Sequence, residues 1–160
     1  MIYPIVREDI PECVRVIRES FLTVAHELDL KKETSPRFTG FSISEERLYY
    51  QFDVEKRPMF KYCDGEKIVG YYSLSPEIDG QTELNNLAVL PEYRHRGIGE
   101  ILMRNGMERA RYAGCKSVFV SIVDTNKRLR AWYESLGFRY VGARKFEGFD
   151  FLCGDMIIEI

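Results

Sequence analysis

The stretch Asn86-Leu-Ala-Val-Leu-Pro-Glu-Tyr-Arg-His-Arg-Gly-Ile-Gly-Glu-Ile-Leu-Met103 places an apolar strand, a tight turn and an amphipathic helix in direct succession. The turn is Arg94-His95-Arg96-Gly97-Ile98-Gly99, and it opens the helix on small residues. A helix that starts this way leaves its first backbone N–H groups without partners, at the positive end of the helix dipole. Such a place binds phosphate or pyrophosphate, and Arg94 and Arg96 add positive charge to it. Glycine has no Cβ, so an anion can reach hydrogen-bond distance of the backbone. A dinucleotide fingerprint would need a third glycine where Leu102 stands, and a nucleotide P-loop would need Gly-Lys followed by Ser or Thr. Neither is present. What remains is Arg-x-x-Gly-x-Gly after a strand, which reads either as an anion cradle or as an ordinary turn.

Working outward, the strand feeding the turn begins near residue 82. Two further strands precede it, at about 58–63 and 67–75, joined by the hairpin dipeptide Asp64-Gly65. Residues 2–6 read as a short strand, and Ile10, Cys13, Val14, Ile17 and Phe21 repeat at helical spacing over about 10–22. Asp9 with Glu12 forms a capping pair there, and Pro11 suits the first turn. Residues 28–41 read as an irregular connection, and Ser42 with Glu45 as a capping box for a helix to about Phe52. After the glycine turn, Ile98, Ile101, Leu102, Gly106, Ala110 and Ala113 form the buried stripe of a helix that Gly114 ends. Gly106 weakens an isolated helix by about 1 kcal/mol relative to Ala, so its role there is close approach to the sheet. Ser117–Val123 is a β-rich strand. Asn126 caps a last helix with Leu129, Trp132, Tyr133 and Leu136 on one face and Gly137 at its end. Strands near 138–143 and 150–159 follow. No repeat, low-complexity segment or linker interrupts residues 1–160, which read as one α+β domain.

Composition narrows the function classes. The chain has 160 residues, enough to bury roughly two-thirds of its unfolded surface. Its 45% hydrophobic and 30% charged content is that of a globular protein. A formal charge of −2 with dispersed basic residues argues against nucleic acid, and Arg104, Arg109 and Arg111 read as a solvated helix face. Cys13, Cys63, Cys115 and Cys153 form no Cys-x-x-Cys pair, and only His26 and His95 could join them, so no metal site is expected. Scattered thiols and the lack of a signal or membrane-spanning segment point to the cytoplasm, away from the membrane.

A second motif supports the first. Asn126-Lys-Arg-Leu-Arg-Ala-Trp-Tyr-Glu-Ser-Leu-Gly-Phe138 resembles the second signature of the GCN5-related N-acetyltransferase (GNAT) superfamily, and Arg94–Gly99 resembles its coenzyme A signature. The order of elements is similar along nearly the whole chain, and residues 83–138 are its specific part. Leu129 departs from the alanine common at its position and narrows the expected pantetheine groove. The resemblance implies a central mixed, mostly antiparallel sheet of about six or seven strands flanked by about four helices. It also implies an enzyme moving the acetyl group of acetyl-CoA to a primary amine in a ternary complex, with no metal.

Acetyl transfer to an amine sets three requirements. An alkylammonium near pKa 10 must lose a proton, the thioester oxygen needs a donor as it becomes negative, and a thiolate of pKa about 8.5 must depart. Glu83, four residues before Leu87, matches the position from which some members supply a base, directly or through water; alone it reads equally as a solvated charge. The resemblance makes Tyr133 the general acid, although it also completes an apolar helix face. It assigns the backbone of Leu87, Ala88 and Val89 to the pantetheine amides and the oxyanion, and Arg94, Arg96, Gly97, Ile98 and Gly99 to the pyrophosphate. His95 lies in the same turn and reads as a solvent-facing neighbour. Asn126 reads as a helix cap, and the resemblance adds a contact with the coenzyme.

The acceptor groove is expected at about residues 24–50 and 140–152, with Phe38, Phe41, Tyr49, Tyr71, Tyr140, Phe146 and Phe149 near it, most of them core. Glu45, Glu46, Asp53 and Glu55 follow helix-surface spacing and form no polyamine-type acidic cluster. A small amine or amino-acid derivative is the first expectation. A protein N-terminus or lysine follows, and a non-catalytic coenzyme A sensor is the rival from another class. The chain is expected as a monomer or homodimer, with residues 150–160 offering sheet extension or swapping.

Overall fold

The computed structural model describes residues 1–31, 33 and 39–160. Seven strands form one sheet: β1 (Ile2–Pro4), β2 (Met59–Asp64), β3 (Lys67–Leu74), β4 (Gln81–Val89), β5 (Ser117–Val123), β6 (Arg139–Lys145) and β7 (Leu152–Glu159). Their spatial order is β1-β2-β3-β4-β5-β7-β6, and every neighbouring pair is antiparallel except β4–β5. Four α-helices lie among the described residues: α1 (Ile10–Glu27), α2 (Glu45–Asp53), α3 (Ile98–Tyr112) and α4 (Lys127–Ser135). This is the mostly antiparallel mixed sheet with flanking helices that the sequence suggested.

The sheet is covered on both sides because its strands bury alternate residues against different helices. Phe60 stacks on Tyr72, and Tyr72 donates to Asn105 of α3 at 2.6 Å. Gly106 lies against the same face: a Cβ there would collide with Leu84 and come within 3.2 Å of Tyr72. The close approach expected of Gly106 is therefore real. Residues of opposite parity face α1, where Lys61 of β2 bonds both carboxylate oxygens of Asp9 at 2.7 and 2.6 Å. Tyr71, Val69, Leu102, Ile17 and Met156 are among the fully enclosed side chains of the continuous core.

Several sequence expectations shift. Helix α1 runs five residues past the expected end because Ala25 is buried and nothing between Thr23 and Glu27 breaks a helix. Asp9 does not cap α1 with its side chain; it accepts from Val6 N–H at 2.8 Å and closes the 3₁₀ turn before the helix. Helix α2 is capped by Ser44, which accepts from Arg47 N–H at 3.2 Å, so the cap lies two residues beyond Ser42. Ser42 ends a 3₁₀ turn at Gly40–Ser42, and that turn occupies the space the capping box was assigned. On α3, Ile101 is 46% exposed and Ala113 lies outside the helix, so the buried stripe is Ile98, Leu102, Met103, Gly106 and Ala110. Strand β7 is internal, paired with β5 and β6, so sheet extension through residues 150–160 is blocked and the free edges are β1 and β6. Part of the connection expected at 28–41, including Phe38, lies outside the described residues. No helix among the described residues is long and apolar enough to cross a membrane.

Candidate active site

The site begins with a break in the sheet. The parallel pairing of β4 with β5 covers only Gln81↔Ser117, Thr82↔Val118 and Glu83↔Phe119, although β4 continues to Val89 and β5 to Val123. The cause lies on the other side of β4. Its register against β3 slips by one residue between Ser73↔Asn85 and Tyr71↔Ala88, and Asn86 takes φ 53°. An extra residue in one strand bends it and adds twist, which turns the far half of β4 away from β5. The backbone of Leu87 and Ala88 therefore faces a cleft with no strand opposite. Val89 ends that stretch, and its carbonyl also accepts from Arg94 Nε at 3.2 Å.

At the end of this open edge the chain enters the glycine turn. His95 (φ 61°) and Gly97 (φ 77°) both adopt left-handed backbone, and the first intrahelical bond of α3 runs from Ile101 N–H to Gly97 O at 3.0 Å. Gly97 has no side chain to cap the helix, so the N–H groups of Ile98, Gly99 and Glu100 have no intrahelical or capping partner. Helix α4 closes the other side, since a Cβ on Gly99 would lie 3.5 Å from Trp132. Asn126 caps α4 by accepting from Leu129 N–H at 3.1 Å.

The two arginines of the turn differ. Arg94 turns inward, where Nη1 donates to Thr23 Oγ1 at 2.9 Å and Nη2 to Ser20 O at 2.6 Å, tying the turn to α1. Arg96 is exposed, its guanidinium 5.0 Å from the Tyr93 ring centroid. His95 is exposed, as expected of a solvent-facing neighbour. Tyr133 is buried, edge-on to Trp132 and Phe138 at centroid distances of 4.9 and 5.3 Å, and burial pushes its phenol well above the ordinary tyrosine range.

Glu83 stands where β4 and β5 part, its N–H held by Ser75 Oγ at 2.9 Å. Burial raises its carboxyl pKa, while the Asn85 amide and the Arg57 and Arg144 guanidiniums pull it back and Asp155 pushes it up. A groove of about 520 Å³ opens here, lined by Arg57, Ser75, Pro76, Ile78, Asp79, Gln81, Glu83 and Phe119. Sequence reasoning missed Arg57, whose Nη1 donates to Asn85 Oδ1 at 3.0 Å. It also missed the Arg144–Asp155 ion pair, to which Ser121 adds a 2.7 Å bond. Both lie far from the motifs in sequence, and no spacing rule joins them to Glu83. Glu55, assigned to a helix surface, lies beyond α2 and pairs with Arg57 and Arg47. Of the expected aromatics, Phe41 and Tyr71 are core and Phe146 is 37% exposed. Among the described residues no cluster of His, Cys, Asp or Glu is arranged to hold a metal ion.

This geometry agrees with what comparison with known proteins shows. Residues 26–138 match the family model described as "Acetyltransferase (GNAT) family". The chain belongs to this family of acetyltransferases. It is 27% identical over 135 residues to the thialysine N-epsilon-acetyltransferase of Mus musculus, covering 81% of this chain and 78% of that protein. It is 40% identical over 73 residues to the amino-acid acetyltransferase of Pseudomonas paraeruginosa, covering 45% of this chain and 16% of that longer protein. The fold also superposes on the PaiA N-acetyltransferase of Thermoplasma acidophilum, solved with coenzyme A, with a TM-score of 0.74 and 19% identity, covering 100% of this chain and 98% of that one.

Proposed function

We propose that this protein transfers the acetyl group of acetyl-CoA directly to a primary amine within a ternary complex, and that the acceptor is a small amine or amino-acid derivative. The observation that carries this reading is the parting of β4 from β5 after Glu83, because one opening then exposes three chemistries. Backbone at Leu87–Val89 with no β5 strand opposite suits the amides of a pantetheine arm, which would lie along β4 as a missing strand does. Uncapped N–H groups at Ile98, Gly99 and Glu100, following the left-handed Gly97, suit a pyrophosphate, with Arg96 and His95 forming the rim. Bound acetyl-CoA would supply a thioester carbonyl as electrophile between these two walls.

The chain's own residues handle the protons. Glu83 accepts one proton from the incoming ammonium, directly or through water, so the nitrogen lone pair is free to attack the carbonyl carbon. Its raised pKa brings it closer to neutrality, which improves a base that must also release its proton. A backbone N–H of Leu87–Val89 donates to the oxygen as it becomes negative. The carbon–sulfur bond then breaks and the sulfur takes a proton from Tyr133. The nitrogen gives up its second proton to the Tyr133 phenolate, leaving amide, free thiol and a restored phenol, and Glu83 returns its proton to solvent. Burial that keeps Tyr133 protonated also raises the proton affinity of a thiolate in the same cleft, so the transfer remains feasible. Asn126 holds α4 against the cleft through its cap.

The thialysine and amino-acid specificities named for two relatives favour a small acceptor bearing amino-acid chemistry. Thiol release from acetyl-CoA, measured across small amines, amino acids and peptides, tests the proposal. Acetylation of at least one small-amine class supports it. Acceptance of peptides alone would move the acceptor to a protein N-terminus or lysine. Tight coenzyme A binding with no turnover in any class would instead identify a sensor.

A further inference from the structure

The groove beside Glu83 contains a guanidinium whose N–H donors its neighbours do not use up. Arg57 has only 13% of its side chain exposed, and Nε faces Glu55 while Nη1 faces Asn85. Glu55 is shared, because Arg47 Nη1 approaches its other oxygen at 3.2 Å. Two guanidiniums thus share the Glu55 carboxylate, so it does not occupy Arg57 alone. Nη2 of Arg57 makes no hydrogen bond among the described residues. Of the two acids on the wall, Asp79 is exposed at the β3–β4 turn, where solvent screens it, and Glu83 is the carboxylate nearer Arg57. Asn85 lies between Arg57 and Glu83 on the same face of β4, so cation and carboxylate stand side by side at the floor.

A mostly buried guanidinium with unused N–H groups calls for an acceptor, and its planar fork suits a carboxylate. Next to it Glu83 calls for a cation or an amine. That pairing is the complement of a zwitterion. Pro76, Ile78 and Phe119 supply apolar wall for a side chain, and about 520 Å³ suits a small molecule rather than a folded partner.

We propose that Arg57 binds the carboxylate of the acceptor while Glu83 faces its amine, so that the acceptors of this enzyme are amino acids or close analogues carrying a free carboxylate. This rests on the reading of Glu83 as the base. It makes Arg57 a specificity-determining residue, held in place by Asn85 and Glu55.

The test compares each standard amino acid with its carboxamide and its decarboxylated amine as acceptors for acetyl-CoA. The free acid should be preferred by about 30-fold or more in kcat/KM, because the analogues leave Arg57 unpaired. Arg57→Gln should cut that preference to within about three-fold, through the acceptor KM, with the KM for acetyl-CoA unchanged. Arg57→Lys should fall between, since an ammonium keeps the charge and loses the fork. Should Arg57→Gln fail to fold, the acceptor series on the unaltered enzyme and the lysine variant still decide. Equal use of acids, carboxamides and amines by the unaltered enzyme overturns the carboxylate site and leaves acetyl transfer standing. So does an Arg57→Gln variant that slows all three forms alike. Calorimetry of the coenzyme A-loaded protein with the same amino acids covers the remaining case: Arg57-dependent binding without turnover keeps the site and overturns the transfer. No binding and no turnover overturns both.

Discussion

The two sides of the cleft are built from different material. In the proposed reading the coenzyme side works through backbone: the open edge at Leu87–Val89 and the N–H groups at the start of α3. On the acceptor side they are side chains from separate segments: Glu83 and Asn85 on β4, Arg57 before β2, and Arg144 and Asp155 on β6 and β7. Backbone groups exist at every residue, so exposing them takes only a bulge and two left-handed turn residues. A side-chain constellation can be rebuilt one residue at a time without disturbing that frame. On the proposed function, one side would record the family and the other what this member acts on.

Substitutions can break this contrast or sharpen it. The largest effect belongs to Glu83→Gln, expected to lower kcat by about 10²- to 10⁴-fold. Acetyl-CoA affinity, measured by calorimetry, should barely change. A comparable loss of affinity would show that the two sides are not separable.

Tyr133→Phe stands at the seam, since it removes an acid without altering the backbone walls. About a ten-fold or greater fall in kcat with an unchanged acceptor KM is expected from steady-state kinetics. If kcat is unaffected, Tyr133 serves only the packing between Trp132 and Phe138.

On the coenzyme side, Arg94→Ala and Arg96→Ala should separate structure from contact. Arg94 makes three hydrogen bonds to α1 and β4, so its loss should destabilise the protein by about 2–3 kcal/mol in urea unfolding. Arg96→Ala should leave unfolding unchanged and raise the acetyl-CoA KM a few-fold, less so in high salt.

The smallest effect is thermodynamic. Burial raises the pKa of Glu83 in the folded state, so its ionisation disfavours folding. The stability it allows is fully present below the unfolded carboxylate pKa and is lost as pH rises through the folded value. Glu83→Gln should therefore melt above the unaltered protein near pH 8, and that advantage should fade once the pH drops below the ordinary carboxylate range. An equal melting temperature at both pH values would place Glu83 in free solvent.

The same contrast explains what was legible in the sequence. Gly97 marked the turn because left-handed backbone favours glycine, and Gly99 lies beside it where α3 meets Trp132. Asn126 marked α4 because its cap is local, three residues from the N–H that it accepts. Alternation and helical spacing placed the strands and helices, with errors at ends that tertiary contacts decide, such as the extra turn of α1 under Arg94. Arg57 could not be found this way. Its partners are Glu55, next to it along the chain, and Asn85, which only the sheet brings near. Nor did the chain pattern reveal that Arg94 would serve α1, because the same arginine in the same turn could have pointed outward.

The central claim is that Glu83 activates an amine at the place where β4 leaves β5. The pH dependence of kcat/KM for the acceptor, followed by thiol release in the unaltered enzyme and in Glu83→Gln, tests it most directly. The account predicts an acidic limb in the unaltered enzyme, with an apparent pKa above that of an ordinary glutamate. In the variant that limb should vanish, leaving only the dependence set by the amine's own ionisation. A variant that keeps the same limb and a rate within about three-fold of the unaltered enzyme would contradict the account.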